Sequence, residues 1–117
     1  ITVNAGNGLA ETSWTLAAML GNQPPLPETN LTAYFASGNL LSGSSGCNNY
    51  NGSYTADSSA LNINLGPMTM MSCGPAIDEQ EQTYLSLLQS ASSYVIEGDQ
   101  LVIFDGNGAE VLRFNRT

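Results

Sequence analysis

The chain has 117 residues, of which 10% are charged, and its ten acidic and two basic residues give a net charge of −8. This length suits one domain that buries its own core without needing a metal or a dense set of disulfides. The chain has no lysine and no histidine, which excludes a basic patch for nucleic acid, Ser-His-Asp or Cys-His catalysis, and histidine metal sites.

The first residues differ from the rest of the chain. Residues 1–12, ITVNAGNGLAET, show no clear period and contain two glycines, so we predict a linker or flexible segment there and a domain over 13–117. The chain begins with Ile rather than Met, which is compatible with removal of an export signal, a lipid anchor or a preceding domain. No apolar run reaches the roughly 20 residues that span a bilayer, so we expect membrane contact only through such a removed anchor.

Alternating apolar residues predict antiparallel strands along most of the chain. The first strand, SWTLAAM, is followed by GNQPPLPET, which holds three of the five prolines and is predicted to be a loop. Gly, Asn and Asp clusters then predict turns between paired strands. The predicted strands or hairpins are 13–19, 31–46, 47–65, 67–73 (PMTMMSC), Tyr94–Ile96, Leu101–Phe104 and Ala109–Phe114.

One segment has a helical period instead. Its apolar residues fall on one face and predict a helix over about 75–91, with Pro75 at the first helical position. Those residues are Ile77, Tyr84, Leu85, Leu88 and Ala91. The predicted fold class is therefore mainly β (α+β): an antiparallel β-barrel-like or two-sheet structure with one α-helix packed against it.

Four motifs in this order resemble the META domain family, which includes the HslJ-like heat-shock lipoproteins. They are SWTL at 13–16, GCNNYNGSY at 46–54, MTMMSC at 68–73 and YVIEGDQLVIF at 94–104. The resemblance covers roughly Ser13 to Phe114. It implies a compact antiparallel β structure with a helix and a cell-envelope or extracellular setting in bacteria, and it implies no enzymatic activity.

The two cysteines, Cys47 and Cys73, lie 26 positions apart, each beside a predicted strand. In an exported protein they would pair, and we favour a disulfide over two free buried thiols. A zinc site is less favoured, because two thiolates without histidine or further cysteine fall short of the usual ligand set. We therefore predict no metal and no cofactor.

The motif GCNNYNGSY has two interpretations. We favour a structural seam, in which Tyr50, Gly52 and Tyr54 share one strand face, while Asn48 and Asn49 satisfy unpaired backbone groups at an irregular strand start. The alternative is a polar ligand patch for a sugar or peptide. That patch would consist of Asn48, Asn49, Tyr50, Asn51 and Tyr54.

Three further groups have simple structural explanations. The methionines Met68, Met70 and Met71 are expected to fill the core rather than to bind a soft metal. The segment DGNGAE at 105–110 is expected to be a hairpin turn rather than a calcium loop. The acids at the helix start, Asp78, Glu79 and Glu81, are explained by the helix dipole.

We therefore predict a non-enzymatic cell-envelope or secreted module with no catalytic residues, which binds an unknown protein or small-ligand partner or has a structural role. One alternative is a secreted protease inhibitor that presents the loop NQPPLPET at 22–29. A second alternative is a hydrolase that uses carboxylates alone, which requires two acids to converge in a cleft.

Overall fold

The computed structural model describes residues 9–27, 29–57, 59–68 and 71–117. Within these residues, eight strands form a closed antiparallel barrel in which each strand pairs with its neighbours along the chain and β8 pairs with β1. A single helix, α1, lies between β5 and β6 in the chain. The elements are β1 (Thr12–Met19), β2 (Thr32–Ala36), β3 (Leu40–Ser44), β4 (Asn49–Asp57), β5 (Ala60–Leu65), α1 (Pro75–Gln89), β6 (Ser93–Glu97), β7 (Gln100–Phe104) and β8 (Glu110–Arg116).

The predicted fold class is confirmed, and of its two forms the structure has the barrel. The helix ends at Gln89, slightly before the predicted end. The prediction of a strand over PMTMMSC is wrong for its described residues, which are irregular, and residues 69–70 lie outside the described part of the chain. Pro67 lacks an N–H for a ladder, and the backbone of Met71 bonds to the Asn48 side chain instead of to a strand.

The packed structure begins earlier than the predicted domain start at Ser13. Leu9 is fully buried, and β1 begins at Thr12. The Thr12 hydroxyl donates to the Leu9 carbonyl and accepts a hydrogen bond from the Trp14 indole N–H, which fixes this entry to the barrel. Residues 1–8 of the predicted linker lie outside the described residues.

Side chains fill the interior of the barrel. Alternation turns one face of a strand inward, as in β4, where Tyr50 and Tyr54 are buried and Asn49 and Asn51 are exposed, whereas three consecutive residues of β7 are buried. The buried apolar residues, apart from Val102, form one continuous cluster, so the core is packed by the chain itself. Its largest fully buried members are Trp14, Tyr50, Tyr84, Phe35 and Phe114.

Among the described residues, the β5–β6 ladder is the shortest in the barrel, with a single registered pair, Ala60 with Ser93. Two flanking backbone bonds support it, from Leu61 N to Ser92 O at 3.0 Å and from Tyr94 N to Ser59 O at 2.9 Å. The helix α1 packs against β5 and β8. The chain between β5 and β6 thus supplies helix packing where ladder hydrogen bonds are few.

A buried hydroxyl chain joins the helix to the strands. The Tyr50 hydroxyl donates to Thr32 O at 2.6 Å, and the Tyr84 hydroxyl lies 2.9 Å from that of Tyr50. Each phenol has one hydrogen, so donation from Tyr84 to Tyr50 and from Tyr50 to Thr32 satisfies both. Burial raises the pKa of both phenols above the ordinary value, and the chain is therefore neutral.

The helix α1 is too short and too polar to cross a lipid bilayer, and the described residues contain no other helix.

Two glycines allow neighbouring strands to approach closely. A Cβ atom on Gly43 would lie 2.1 Å from Thr32 O and 2.9 Å from the Tyr50 hydroxyl oxygen. A Cβ atom on Gly52 would lie 2.2 Å from Asn64 O. At both positions any larger residue has to displace backbone, and at Gly43 it also disturbs the acceptor of the hydroxyl chain.

We expect Gly43→Ala and Gly52→Ala each to lower the free energy of unfolding by about 3 kcal/mol, because the added methyl group collides with a backbone carbonyl. The matched control is Gly106→Ala in the β7–β8 turn, where a Cβ atom meets nothing within 4 Å. That variant should stay within about 0.5 kcal/mol of the parent protein. Urea unfolding measures all three, and equal effects at the three positions would contradict the explanation.

Candidate functional site

The motif GCNNYNGSY begins with a tight loop between β3 and β4. Ser45 N donates to Asn48 O at 2.8 Å, and Gly46 has a φ of 107°, which favours glycine. The Ser45 hydroxyl lies within reach of both Asn48 O and the Glu81 carboxylate. It has one hydrogen, and Asn48 O already has a donor, so the charge-assisted bond to Glu81 is the more favourable one.

Glu81 is the centre of this loop's contacts. Only 1% of its surface is exposed, and its carboxylate accepts hydrogen bonds from the Ser45 hydroxyl, from Asn48 N at 2.9 Å and from Asn48 Nδ2 at 3.0 Å. Within the described residues no arginine pairs with it. Neutral donors alone satisfy this buried carboxylate, and each such bond to a charged group contributes about 1.5–3 kcal/mol.

The helix-dipole explanation of Glu81 is therefore incomplete. The carboxylate points into the protein and connects α1 to the β3–β4 loop, rather than lying in solvent near the helix start. The sequence does contain an indication of this, because position 81 is four residues after Ile77 and four before Leu85, on the predicted apolar face. A carboxylate at such a position indicates a buried hydrogen-bonding partner elsewhere in the chain.

The Asn48 side chain also binds the segment before the helix. Its Oδ1 accepts from Met71 N at 2.8 Å, and its Nδ2 donates to Met71 O at 3.1 Å, as a neighbouring strand would. Beside it, Cys47 and Cys73 lie at disulfide distance, with their sulfur atoms 1.96 Å apart. The interpretation of this motif as a seam agrees with the contacts of Asn48, which satisfies unpaired backbone groups, but it is wrong for Asn49, whose exposed side chain forms no hydrogen bond with the described residues.

Asp78 fixes the end of the same segment. Its carboxylate accepts hydrogen bonds from the Ser72 hydroxyl at 2.6 Å and from Cys73 N at 2.9 Å. The bond from Ser72, and then that from Cys73, lowers the pKa of Asp78. The three acids at the helix start thus have different surroundings, because Glu81 is buried, Asp78 bonds to the segment before the helix and Glu79 is exposed.

The five residues of the predicted ligand patch do not share one surface. Asn48, Tyr50 and Tyr54 are buried, whereas Asn49 and Asn51 point outward from β4. Of the three predicted core methionines, Met68 is half-buried against the core and Met71 is 62% exposed, while Met70 lies outside the described residues. Core filling is thus wrong for Met71.

The turn at 105–110 is a hairpin. The Asp105 carboxylate accepts hydrogen bonds from Asn107 N at 2.9 Å and Ala109 N at 3.0 Å. The side chain that a calcium loop would need as a ligand therefore stabilises the turn instead. Among the described residues no group of three or more cysteine or acidic side chains is placed to hold a metal ion.

A surface cleft of about 350 Å³ lies between α1 and the loop after β1. The lining is mainly apolar: Met19, Leu20, Pro24, Leu26 and Ala76, with Gln23, Glu79, Gln80 and Thr83. The buried Gln80 holds the loop against the helix, because its Oε1 accepts from Leu26 N at 2.7 Å and its Nε2 donates to Thr29 Oγ1 at 3.2 Å. These hydrogen bonds within the protein therefore hold the wall of the cleft in place.

Leu20 is an unusual residue at the rim of this cleft. Its φ is 54°, in the left-handed region that leucine rarely adopts, and its side chain is 55% exposed. A hydrogen bond from Leu20 N to Val111 O at 2.9 Å holds the backbone in place. The residue combines backbone strain with an exposed apolar side chain, and nothing in its own sequence neighbourhood predicts either property.

We expect Glu81→Gln to lower the free energy of unfolding by about 2 kcal/mol. In either orientation of the amide, its NH₂ group faces an N–H donor of Asn48, the side-chain Nδ2 or the backbone N, so at least one hydrogen bond is lost. The control is Glu79→Gln on the exposed side of the same helix, which should change stability by less than about 0.5 kcal/mol. Thermal or urea unfolding decides, and equal stability of the two variants would rule out a stabilising role for Glu81.

The Asp78 contacts predict an acid-sensitive contribution to stability. Because the pKa of Asp78 is lowered in the folded state, its contribution is fully present above the ordinary value of 3.8 and is lost as the pH falls through the lower folded value. The stability difference between the parent protein and Asp78→Asn should therefore shrink below about pH 4. Urea unfolding from pH 6 to pH 2 measures this, and a difference independent of pH would contradict it.

The comparisons with known proteins agree on the fold. A structure determined by NMR of a protein from Burkholderia xenovorans matches 100% of this chain and 92% of its own length, with 24% identity and a TM-score of 0.77. A crystal structure of a DUF4847 family protein from Bacteroides vulgatus matches 93% of this chain and 94% of its own length, with 15% identity and a TM-score of 0.68. No curated protein matches the sequence. The model of the META domain matches residues 7–117, nearly the whole chain, and this protein therefore belongs to the META domain family.

Proposed function

We propose that this META domain is a non-enzymatic module of the cell envelope or extracellular space that binds a partner protein through the cleft between α1 and the loop after β1. The observation that carries the proposal is Leu20, an exposed leucine held in a left-handed conformation at the cleft rim. Glycine would adopt that conformation without strain, so the leucine side chain needs an explanation outside the fold.

We place the binding site on the outer surface because side chains fill the interior of the barrel. Buried side chains occupy the space in which other eight-stranded barrels hold a small ligand. The cleft has the volume and the mainly apolar lining that are typical of binding sites, and Gln80 preorganises its wall. Preorganisation reduces the entropy lost on binding.

The partner segment is expected to carry an apolar side chain next to a basic residue. Leu20, Met19 and Leu26 supply apolar contact, and Glu79 places a carboxylate at the lining. The protein's net charge of −8 favours a basic partner at longer range.

The Cys47–Cys73 pair supports an envelope or extracellular location, because structural disulfides persist in oxidising compartments. Fractionation of the native cells, with the thiols alkylated on lysis, tests the location. Recovery of the protein in the cytosol with two alkylated cysteines would exclude it.

A protease inhibitor is the second candidate, and the fixed loop favours it. Gln80 and Thr29 hold Leu26 within the predicted inhibitory segment, which gives the rigidity that an inhibitory loop requires. We rank a hydrolase lower, since Glu81 and Asp78 already accept hydrogen bonds with structural roles. A panel of protease assays without inhibition would remove the inhibitor from consideration.

A displayed random peptide library selected on the intact domain tests the cleft. We expect the recovered peptides to pair an apolar residue with Lys or Arg, and to be returned uncleaved. Leu20→Gly should weaken their binding about tenfold or more, because a buried leucine side chain contributes about 1.5–3 kcal/mol. Fluorescence polarisation gives the dissociation constants.

The same variant should fold normally, since glycine tolerates the left-handed backbone and any change in stability should stay within about 1 kcal/mol. Val95→Ala is the matched control, an exposed apolar residue on β6 outside the cleft. Peptides that bind Leu20→Gly as tightly as the parent protein would exclude the cleft as their site.

A further inference from the structure

We propose that the outer face of β2, β3, β4 and β5 is a second binding surface, one that takes a neutral polysaccharide. Eleven residues of these four strands are exposed, and ten of them are uncharged. The eleven are Tyr34, Leu40, Ser42, Asn49, Asn51, Ser53, Thr55, Asp57, Ala60, Asn62 and Asn64. Soluble proteins ordinarily carry charged side chains on about a quarter to a third of such a surface, and this face has one, at its end.

The charged residues of the barrel strands lie mainly on the other half. Strands β6, β7 and β8 carry Glu97, Glu110, Arg113 and Arg116, and Arg113 bonds to Glu110 at 2.9 Å. The two halves of one barrel thus have different chemistry. A low charge content of the whole chain does not explain this division, because the acids are numerous and are placed elsewhere.

Strand register arranges the neutral side chains in rows. One row runs across four strands through Ser13, Tyr34, Ser42 and Asn51, and the next runs through Ala36, Leu40, Ser53 and Asn64. Four strands at their usual spacing span about 15 Å. Each row is therefore long enough to contact several successive units of a polymer.

The hydrogen-bonding groups of this face are available. Among the described residues, the side chains of Asn49, Asn51, Asn62 and Asn64 form no hydrogen bond with any other part of the protein, and the same holds for Ser42, Ser53 and Thr55. Each asparagine offers both donors and acceptors, and so does each hydroxyl. Such an array complements the hydroxyl and amide groups of a neutral sugar chain.

Tyr34 adds an aromatic surface in the middle of the first row. Its side chain is 43% exposed, opposite Ser13 on one side and Ser42 on the other. A tyrosine gives a rigid apolar face and a polar tip at small entropic cost. The neutral amides beside it supply directional bonds around the ring.

Charge and topology exclude other polymers from this face. With a net charge of −8 and no base on β2–β5, the protein repels phosphates, sulfates and uronates. A peptide strand cannot add to β2, β3 or β4, since each of these is hydrogen-bonded to a strand on both sides. A neutral polyol meets neither obstacle.

Chemical-shift mapping of the ¹⁵N-labelled protein tests the proposal with three oligosaccharides of equal length. Chitotetraose and cellotetraose are neutral, with and without acetamide groups, and tetragalacturonate carries charge. We expect at least one neutral chain to shift backbone amides of β2–β5, with a dissociation constant of about 1 mM. Tetragalacturonate should leave the same amides unshifted.

Two variants of Tyr34 refine the result, and the residue is exposed enough for both to fold. Tyr34→Ala should weaken binding about fivefold, which corresponds to about 1 kcal/mol, and Tyr34→Phe should retain most of it. Val95→Ala on β6 is the control and should have no effect. The proposal is wrong if about 10 mM of each neutral chain shifts nothing, if the shifts map outside β2–β5, or if tetragalacturonate binds equally well. Because none of these residues lines the cleft, the two proposals can fail separately.

Discussion

The buried carboxylate of Glu81 is the contact on which the arrangement of the helix depends. Within the described part of the chain its donors all come from the β3–β4 loop, and Asn48, which supplies two of them, also pairs with the backbone of Met71. One acidic side chain thus fixes the helix, the start of β4 and the segment between β5 and α1. That connection matters because β5 and β6 share a single registered pair among the described residues, so helix packing supports the barrel where the ladder is shortest.

Filling of the barrel interior determines where binding can occur. The core is continuous from the strands to the helix, and the hydroxyl chain from Tyr84 through Tyr50 to Thr32 satisfies the polar groups within it. Contact with other molecules is therefore left to the outer surface, which is divided into a cleft at the helix, a charged half on β6–β8 and a neutral half on β2–β5. The two proposed sites use different parts of this surface.

Much of the fold could be predicted from the sequence because it is local. Alternation and turn residues identify all eight strands of the barrel, and the helical period of Tyr84, Leu85 and Leu88 identifies α1. The wrong strand prediction falls where a side chain, rather than the backbone of a neighbouring strand, supplies the hydrogen bonds. The strand prediction at PMTMMSC fails because Asn48 satisfies Met71 from 23 positions away, and no local period can show that.

The candidate sites are harder to predict from the sequence for the same reason: they depend on contacts between residues far apart in the chain. Leu20 is strained by a turn and a hydrogen bond to Val111, and the cleft exists because Gln80 fixes a proline-rich loop on the helix. The proposed polysaccharide face depends on the register of four strands. Its asparagines were conspicuous in GCNNYNGSY, but only the barrel separates Asn49 and Asn51, which point outward, from Tyr50 and Tyr54, which point inward.

The pairing of the first and last strands also determines how the protein would respond to mechanical tension. Thr117 N donates to Ser13 O, so the two ends of the barrel leave it side by side. A force that pulls these ends apart loads the β1–β8 ladder one hydrogen bond at a time, as in opening a zipper, rather than loading all its bonds together. The barrel would open at modest force, while the Cys47–Cys73 bond keeps the chain between those residues from extending.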